Sequence, residues 1–391
     1  MTHIEQMIQD LCPNGIEWKT IKETVGVNRG RRLTKSQLKE DGLYEVYHGS
    51  KDTPLGRYDD YNAPKDTIIV VNTGGIGGVK YLDKAFWCSD GSFWLGHSTG
   101  ISNKFLYYFL SRYEDYFESQ KRVGGVPTID RNVVENFEIP VPPIEIQQRI
   151  VAILDAFSAL AAELQAELQM RRKQYEYYRT QLLTPHSDCN SADNTDDCKW
   201  VFKALGDITF LAKERIPAEE LSEDNYVSVE NLLSNKLGKT LSESVPVEGA
   251  FIKYIKNDIL VGNIRPYLRK IWFADTDGGT NGDVLTIRIK EAYKTQILPR
   301  FLFHVLSSEE FFFYDTNFSK GAKMPRGDKD KVMQYPVVIP SLKEQERIVS
   351  ILDKFEALTT SLSDGIPAEQ ALQQKRYEYY RDKLLTFEKR P

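Results

Sequence analysis

A long helix-forming segment occurs twice in this sequence of 391 residues, and the duplication limits what the chain can fold into. The string QQRIVAILDAFSAL at 147–160 returns as EQERIVSILDKFEAL at 344–358, and KQYEYYRTQLLT at 173–184 returns as KRYEYYRDKLLT at 375–386. Internal repetition of this kind predicts related structural units arranged in tandem. We therefore interpret the chain as a tandem duplication.

The first copy has the apolar spacing of a long helix with one packing stripe. Positions from 150 to 182 advance by alternating steps of four and three, with Arg171 as the one polar member. This heptad pattern predicts a helix from about Glu145 to Leu183, roughly 58 Å long at ~1.5 Å per residue. Such a helix needs a partner stripe, which the second copy supplies. The predicted seam residues are Ile150, Leu154, Phe157, Leu164, Leu168, Tyr175, Tyr178 and Leu182, and in the second copy Ile348, Leu352, Phe355, Leu362, Tyr377, Tyr380 and Leu384.

The second copy is interrupted where the first is continuous. A Gly-Ile-Pro sequence at 365–367 breaks the pattern, because proline lacks an N–H group and clashes with the preceding turn. We expect the helix to stop near Ser363 and to restart with Asp364 as its cap and Pro367 in the first turn. The first copy instead has two successive Ala-Glu-Leu-Gln units at 162–169. Each unit adds about 6 Å of helix, so their number would set the separation of the helix ends.

Each helical copy follows a β-rich stretch. Short runs of β-branched and aromatic residues alternate with Gly, Asp and Asn, which is typical of strands joined by turns. The order of segments recurs, because DTIIVVN at 66–72 matches NDILVGN at 257–263, and KFLYYFLS at 104–111 matches RFLFHVLS at 300–307. The predicted boundaries are 1–143 and 199–340 for two β-rich domains, 144–184 and 341–391 for the helices, the second broken near 364–367, and 185–198 for a polar linker with too few apolar residues to pack.

Composition argues against several classes of protein. With 41% hydrophobic and 27% charged residues, the chain is typical of globular proteins and has room for two domains. It has neither a run of eighteen apolar residues nor a basic, apolar leader, so we predict a cytoplasmic protein without membrane spans. The four cysteines, Cys12, Cys88, Cys189 and Cys198, lack C-x-x-C spacing and are interpreted as reduced thiols.

Motifs that would indicate catalysis are missing. The glycine-rich string at 74–80 fits neither the phosphate-binding loop nor the dinucleotide fingerprint, so a tight bend between strands is favoured. The five histidines show no i, i+4 pairing, and we expect no metal site. A nucleophile elbow, a helicase motif and the tetrapeptide of adenine methyltransferases are also absent from the sequence. These absences point away from catalysis.

Basic residues are concentrated in loops of the β-rich domains, although the net charge is −5. Phosphates require cations, and bases require Arg, Asn or Gln side chains that reach a groove. For any single residue a solvated surface charge is an equal alternative, but recurrence in two repeats favours binding by the clusters. The candidate DNA-binding residues are Arg29, Arg31, Arg32, Lys35, Lys51, Asn72, Lys80, Lys121 and Arg122 in the first domain, and Lys213, Arg215, Arg265, Arg269, Lys270, Lys320, Lys323 and Arg326 in the second.

The chain resembles a specificity subunit of a type I restriction-modification system. Two β-rich domains, each followed by the strings R-I-V-x-I-L-D-x-F and K-x-Y-E-Y-Y-R-x-x-L-L, carry the resemblance over nearly the whole chain. It implies an α+β fold in which two β-rich target-recognition domains are joined by a long antiparallel coiled-coil helix pair, a tandem duplication with pseudo-twofold symmetry. The break at 365–367 implies that the symmetry fails at that point.

The resemblance also implies a function without catalysis. Each recognition domain would read one half of a bipartite site in double-stranded DNA, while the helices would set the spacing and dock two methyltransferase subunits. Two restriction subunits would join through the methyltransferases. No cofactor is implied for this chain, since S-adenosylmethionine, ATP and Mg²⁺ would be used by the partner subunits. Two alternatives stay open: a coiled-coil scaffold that does not bind DNA, and a self-sufficient modification enzyme.

Overall fold

The computed structural model describes residues 3–122, 124–185, 200–360 and 365–389. Three of the residues on which predictions were made, Leu362, Ser363 and Asp364, lie outside the described residues. The same is true of the predicted linker beyond Pro185.

The chain divides into two compact units that share the repeated helices. The first unit is formed by residues 1–163 and 371–391, and the second by residues 164–370. Each unit therefore contains one β-rich domain, the beginning of one helical copy and the end of the other.

The first unit contains short helices and strands followed by the start of one long helix. The helices are α1 (His3–Leu11), α2 (Ile21–Thr24), α3 (Asn103–Leu110), α4 (Glu114–Ser119), α5 (Arg131–Glu135) and the long α6 (Ile144–Leu183). The strands are β1 (Trp18–Thr20), β2 (Val27–Arg29), β3 (Tyr44–Tyr47), β4 (Gly56–Tyr58), β5 (Thr67–Val71), β6 (Val79–Leu82), β7 (Trp87–Cys88), β8 (Ser92–Leu95) and β9 (Glu138–Pro140).

Strand β5 lies at the centre of the first domain. Its sequence TIIVV is buried along its whole length, as expected of a strand covered on both faces. It pairs antiparallel with β6 and β8 in a sheet of order β2-β8-β5-β6. Because side chains alternate between the faces of a strand, Ile68 and Val70 join the cluster that contains Phe105 of α3, whereas Ile69 packs with Tyr47 and the strands of a second sheet, β4-β3-β7.

The second unit repeats this arrangement with its own strands. Its helices are α7 (Leu205–Ile208), α8 (Pro299–Leu306), α9 (Glu309–Asn317), α10 (Lys329–Met333), α11 (Leu342–Thr360) and α12 (Ile366–Leu384), of which α12 ends in the first unit. Its strands are β10 (Val201–Ala204), β11 (Thr209–Leu211), β12 (Arg215–Pro217), β13 (Tyr226–Val227), β14 (Ala250–Tyr254), β15 (Ile259–Gly262), β16 (Ile271–Phe273), β17 (Gly278–Thr280), β18 (Val284–Ile289) and β19 (Pro336–Ile339).

The larger sheets of the two domains correspond strand by strand. The order β11-β18-β15-β16 reproduces β2-β8-β5-β6, and the parallel pair of β13 with β17 reproduces the parallel pair of β3 with β7. The smaller sheets differ, because β4 pairs with β3 in the first domain, whereas in the four-stranded sheet β12-β14-β17-β13 of the second domain β14 pairs with β17. The predicted α+β fold and tandem duplication are thus confirmed.

The repeated helices pack antiparallel within each unit. The predicted helix over 145–183 is confirmed by α6, and α12 begins at Ile366, so Pro367 lies in the first turn as predicted. In the first unit Leu384 belongs to the same apolar cluster as Ile150. Phe157 lies further along α6 and contacts Tyr377, which precedes Leu384 in α12, so the two helices run in opposite directions. In the second unit the end of α6 packs against α11 in a single apolar cluster.

Candidate nucleic-acid interface

The loops of the first domain meet where β5 ends. The backbone N–H of Asn72 donates to the Gly91 carbonyl (3.1 Å), and the Asn72 carbonyl accepts from the N–H of Ile129 (3.0 Å). The N–H of Gly75 donates to the carbonyl of Gly49 (2.8 Å). Backbone hydrogen bonds therefore fix four connecting segments at one edge of the sheet, where loops carry recognition on a rigid frame.

The second domain builds the same edge with different side chains. The N–H of Asn263 donates to the Asp283 carbonyl (2.8 Å), and its carbonyl accepts from the N–H of Gly327 (3.0 Å). The N–H of Arg265 donates to the carbonyl of Pro325 (2.7 Å). Asn72 and Asn263 therefore occupy corresponding positions, and the residues after them differ completely, Thr-Gly-Gly in one domain and Ile-Arg-Pro in the other.

A short hairpin projects from this edge in both domains. It is closed by the bridges Arg122↔Thr128 and Lys320↔Arg326, whose members stand 198 positions apart in the sequence. Arg122 pairs with Asp130, the N-cap of α5, and Lys320 pairs with Asp328, the N-cap of α10, at 2.6 Å. The recurrence of a cation at the base of the hairpin shows that the duplication extends to side chains.

The tip of each hairpin exposes an apolar residue before a proline. Val126 is 71% exposed, and Met324, 198 positions later, is 53% exposed. Neither position was singled out from the sequence, although the matching Val-Pro and Met-Pro dipeptides were a readable signal. An exposed apolar residue beside cations is suited to contact with bases, since the methyl group of thymine offers an apolar surface in the major groove.

The predicted cations of the first domain fall into two groups. Arg29, Arg31, Arg32 and Lys35 are exposed at or after the end of β2, and the N–H of Arg31 donates to the carbonyl of Cys88 at 2.8 Å beside the loop that contains Gly91. Lys121 is exposed and pairs with Glu118 at 2.9 Å. By contrast, half-buried Lys51 pairs with Glu114 at 2.5 Å, and Lys80 lies 5.0 Å from the ring centre of Tyr47. Lys51 and Lys80 thus have contacts inside the unit.

The cations of the second domain are divided in the same way. Exposed cations in the loops that meet after β15 are Arg265, Lys320, Lys323 and Arg326. Of these, Arg326 pairs with Asp283 at 3.1 Å. Arg269 instead pairs with Glu309 at 3.0 Å, and the Nζ of Lys270 donates to the Val229 carbonyl at 2.5 Å. Burial lowers the pKa of Lys270. Lys213 is exposed just after β11, and Arg215 donates across the β12–β14 pair to the Ala250 carbonyl at 3.2 Å.

Buried polar atoms without partners lie beneath the same edge. Among the described residues, no hydrogen-bond partner is present for Oδ1 of Asn72, for Oδ1 of Asn263 or for either carboxylate oxygen of Asp315. A Cβ atom at Gly327 would lie 2.4 Å from Asp315 Oδ1 and 2.7 Å from Asn263 Oδ1, so a larger residue there would force these two side chains to move. Burial raises the pKa of Asp315 to about 6. The first domain has Phe117 at the position 198 residues earlier, which makes this buried acid specific to the second domain.

The predicted seam residues form matching aromatic contacts in the two units. Phe157 stacks on Tyr380 with ring centres 5.5 Å apart and lies 6.4 Å from Tyr377. Phe355 stacks on Tyr178 at 5.5 Å and on Tyr175 at 5.9 Å. The buried seam residues are Ile150, Leu154, Leu168, Tyr175, Ile348, Leu352 and Leu384; Phe157, Leu164, Leu182, Phe355 and Tyr377 are half-buried, and Tyr178 and Tyr380 are each 40% exposed.

A buried glutamine joins each domain to the start of its long helix. Gln147 accepts from the N–H of Ser102 (2.8 Å) and donates to the carbonyls of Gly100 and Pro142. Gln345, 198 positions later, accepts from the N–H of Leu298 (2.9 Å) and likewise donates to two backbone carbonyls. Ser102 and Leu298 are the N-caps of α3 and α8. One side chain thus ties a domain helix to a repeated helix in each unit.

A carboxylate on each long helix forms a second link. Asp155 accepts from Lys104 (2.7 Å) and from the Tyr108 hydroxyl (2.6 Å). Asp353 accepts from Arg300 (2.8 Å) and is bonded to His304 Nε2 (2.7 Å). Burial acts to raise the pKa of Asp353, but the bonds from His304 and Arg300 outweigh it, and the pKa is lowered.

One group of side chains in the described residues has the spacing of metal ligands. His304, Asp353 and Glu356 offer ligand atoms within 4.8 Å of one another. However, the guanidinium of Arg300 donates to Asp353 and to Glu356, each at 2.8 Å. A cation already neutralises both carboxylates, so we interpret the group as an ion-pair network rather than a metal site.

These features define a class of protein that contains two recognition domains in tandem. Each domain presents cationic loops on its own copy of the same sheet framework. The type I restriction modification DNA specificity domain family matches residues 13–170 and 198–370. This match covers well over half of the chain, and the protein belongs to that family. Its function is sequence recognition of DNA within a type I restriction-modification system, and the scaffold alternative is not favoured.

Relatives match along the whole chain. A putative type I restriction enzyme specificity subunit from Haemophilus influenzae is 28% identical over 411 residues, covering 99% of this chain and 98% of that protein. The specificity subunit of an Escherichia coli type I restriction enzyme is 26% identical over 424 residues, covering 100% of this chain and 98% of that protein. The protein is similar to both across both repeats.

Solved structures share the fold. The crystal structure of a type I restriction-modification S subunit from M. genitalium has a TM-score of 0.60 at 19% identity, covering 95% of this chain and 96% of that chain. A chain from a structural study of complex assembly in a type I system has a TM-score of 0.57 at 16% identity, covering 95% and 98%. In the described part of this chain, no helix has the length and apolar character needed to cross a membrane.

Proposed function

We propose that this protein recognises a bipartite, asymmetric DNA sequence, with the loop edge of each domain reading one half. The observation that supports this most directly is the pair of edges built from the same backbone hydrogen bonds around Asn72 and Asn263. The side chains presented there differ between the domains. Because base contacts rather than backbone contacts carry sequence information, two such edges would read two different half-sites.

The exposed cations hold the duplex in this proposal. Arg29, Arg31, Arg32 and Lys35 in the first domain, and Lys213, Lys320, Lys323 and Arg326 in the second, would contact phosphates or base edges. Lys51, Lys80, Arg269 and Lys270 are half-buried as well as partnered within their own units, so we assign them to supporting the loops. Neutralising phosphates releases counterions, and binding should therefore weaken steeply with salt.

The repeated helices would set the gap between the half-sites and dock the partner subunits. We propose that two methyltransferase subunits bind this chain, and that two restriction subunits join the complex through them. The exposed rings of Tyr177 (61%) and Tyr379 (62%) stand at equivalent positions of the two copies. Equivalent exposed aromatic residues suit two identical partners, because aromatic residues are enriched at protein interfaces.

The chain would act without catalysis of its own. S-adenosylmethionine, ATP and Mg²⁺ would be bound by the partner subunits, and the assembled complex would work on double-stranded DNA in the cytoplasm. Methyl transfer by the purified chain alone would contradict the proposal.

The test is to map methylated adenines in cells that contain the complete system and then to exchange residues 199–340 for another such domain. We expect a bipartite motif of which only one half changes. A change in both halves would show that the domains do not read independently. In parallel, a gel-shift assay with the assembled complex should show sequence-dependent, salt-sensitive binding, which a protein scaffold would lack.

A further inference from the structure

The loop after β15 contains an arginine in a conformation that favours glycine. Arg265 has φ of 53° and ψ of 64°, in the left-handed region. This region is unfavourable for a residue with a Cβ atom. Arg265 stands two positions after Asn263. In the first domain, the residue two positions after the corresponding Asn72 is Gly74, with φ of 88°. Both domains therefore need a left-handed residue here, and only the second uses a large side chain.

The neighbourhood of Gly74 explains why the first domain has glycine. A Cβ atom at Gly74 would lie 2.6 Å from the backbone oxygen of Gly49, so no side chain fits. In the second domain the backbone N–H of Arg265 bonds to the Pro325 carbonyl at the base of the hairpin, and the side chain is exposed. The two loops thus share a left-handed residue at this position but differ in whether they can present a side chain there.

A second left-handed arginine in the same loop provides a contrast. Arg269 has φ of 54°, but its guanidinium pairs with Glu309 at 3.0 Å. For Arg265, the described part of the chain shows no acceptor bonded to the guanidinium. Its charged neighbours include Lys270, whose pKa it helps to lower after the larger effect of burial. The backbone bond to Pro325 holds the left-handed conformation, but no contact of the guanidinium among the described residues explains why an arginine rather than a glycine stands there.

We infer that Arg265 is a specificity-determining residue that reads a guanine in the second half-site, an assignment that rests on the proposed function. A guanidinium offers two parallel donors that match the O6 and N7 acceptors of guanine in the major groove. Residues held in strained backbone conformations cluster at functional sites because the surrounding structure fixes them in position. The framework bond to Pro325 fixes Arg265 in this way.

The test compares R265G and R265A in the complete complex. Both variants remove the guanidinium, whereas only R265G also relieves the left-handed strain. We expect both to relax one position of the second half-site in a methylation map, that position being a G·C pair, and to weaken binding of the cognate site roughly ten- to a hundredfold. The unfolding midpoint of R265G should equal that of the wild type or exceed it by up to about 4 °C, while that of R265A should not rise.

The control is N257G, another left-handed position in the second domain. Asn257 has φ of 73° and precedes β15, whereas Arg265 follows it, and the four residues of that strand alone span about 13 Å at ~3.3 Å per residue. It should leave the motif unchanged. Uniformly weaker binding with an unchanged motif and a salt slope smaller by about 1 would identify Arg265 as a phosphate contact and overturn the inference.

Further outcomes separate this inference from the proposed function. An unchanged motif with unchanged affinity in both arginine variants would overturn the inference, and so would relaxation in the first half-site or at an A·T pair. If the wild-type complex itself shows no bipartite motif, the proposed function fails and the inference fails with it. A wild-type motif that R265G does not relax removes only the role of Arg265.

Discussion

The ring of Phe157 near the start of α6 stacks on the ring of Tyr380 near the end of α12, with centres 5.5 Å apart and planes inclined by 27°. Phe355 and Tyr178 in the second unit have the same separation and inclination. Stacked aromatic pairs contribute about 0.5–1.5 kcal/mol beyond the area that they bury. The two helical copies are therefore joined by the same contact at corresponding places.

The first prediction concerns this contact. In a double-mutant cycle of Phe157→Leu and Tyr380→Leu, we expect a coupling of about 0.5–1.5 kcal/mol in urea unfolding, because each substitution removes the same stacked pair. A cycle of Phe157→Leu with Tyr61→Leu is the control, since Tyr61 contacts Tyr44 instead. Equal coupling in the two cycles would show that the stacking adds nothing specific.

The second prediction concerns the buried glutamine between domain and helix. Gln147→Met should destabilise the protein by about 1–3 kcal/mol or more, because the Ser102 N–H and two carbonyls lose their partner. The adjacent Gln148→Met is a matched control, since Gln148 is exposed and should change stability by no more than about 0.5 kcal/mol. Urea unfolding measures both, and a similar effect of the two substitutions would refute the role of Gln147.

The third prediction concerns the pH dependence that Asp315 contributes. Its pKa is raised to about 6 from an ordinary 3.8, so the folded state binds the proton more tightly than the unfolded state. Protonated Asp315 therefore contributes to the free energy of unfolding in full at pH values below its pKa in the unfolded state, and this contribution is lost as the pH rises towards 6. Asp315→Asn should therefore stabilise the protein relative to wild type at pH 7–8, on the order of 2–3 kcal/mol, and give little advantage near pH 4.

The comparison uses urea unfolding of both proteins at several pH values. The matched control is the same Asp-to-Asn change at the exposed Asp224. An advantage of Asp315→Asn that is constant from pH 4 to 8 would mean that the effect comes from packing rather than from titration.

The fourth prediction concerns the hairpin tips. Met324→Glu should weaken recognition of the second half-site by about tenfold or more, because a carboxylate would replace an apolar contact and face the phosphates. Val126→Glu should act in the same way on the first half-site only. Val247→Glu is the control, as Val247 is also an exposed apolar residue (88%) but belongs to neither hairpin. Binding to duplexes with one altered half-site distinguishes the two effects.

The fifth prediction concerns the length of the repeated helix. Inserting a third Ala-Glu-Leu-Gln unit after Gln169 adds about 6 Å of helix and should lengthen the unspecified gap in the methylation motif without altering either half-site. Insertion of the same four residues between Pro185 and Trp200, in the predicted polar linker, should leave the gap unchanged. Altered half-sites with a constant gap would refute the role of the helix as a spacer.

Local sequence signals predicted much of the fold. The heptad spacing predicted α6, and the proline at 367 predicted a helix start, because these features act within one or two turns. The buried run at 67–71 predicted a strand in the same way. Correspondence of the two domains was visible in the matching strings, which preserve the order of the elements.

The placement of the cations could not be read from the sequence. Lys51 and Arg269 carry the same positive charge as Arg265, yet they pair with glutamates that are distant in sequence, Glu114 and Glu309. Charge alone does not indicate whether a side chain faces solvent or a carboxylate. The sequence by itself determined the duplication, the helices and the class of loops, because periodicity and turn chemistry are local. Only the tertiary structure decided which cations remain exposed at the loop edge and which backbone positions are strained, because both depend on contacts between distant segments.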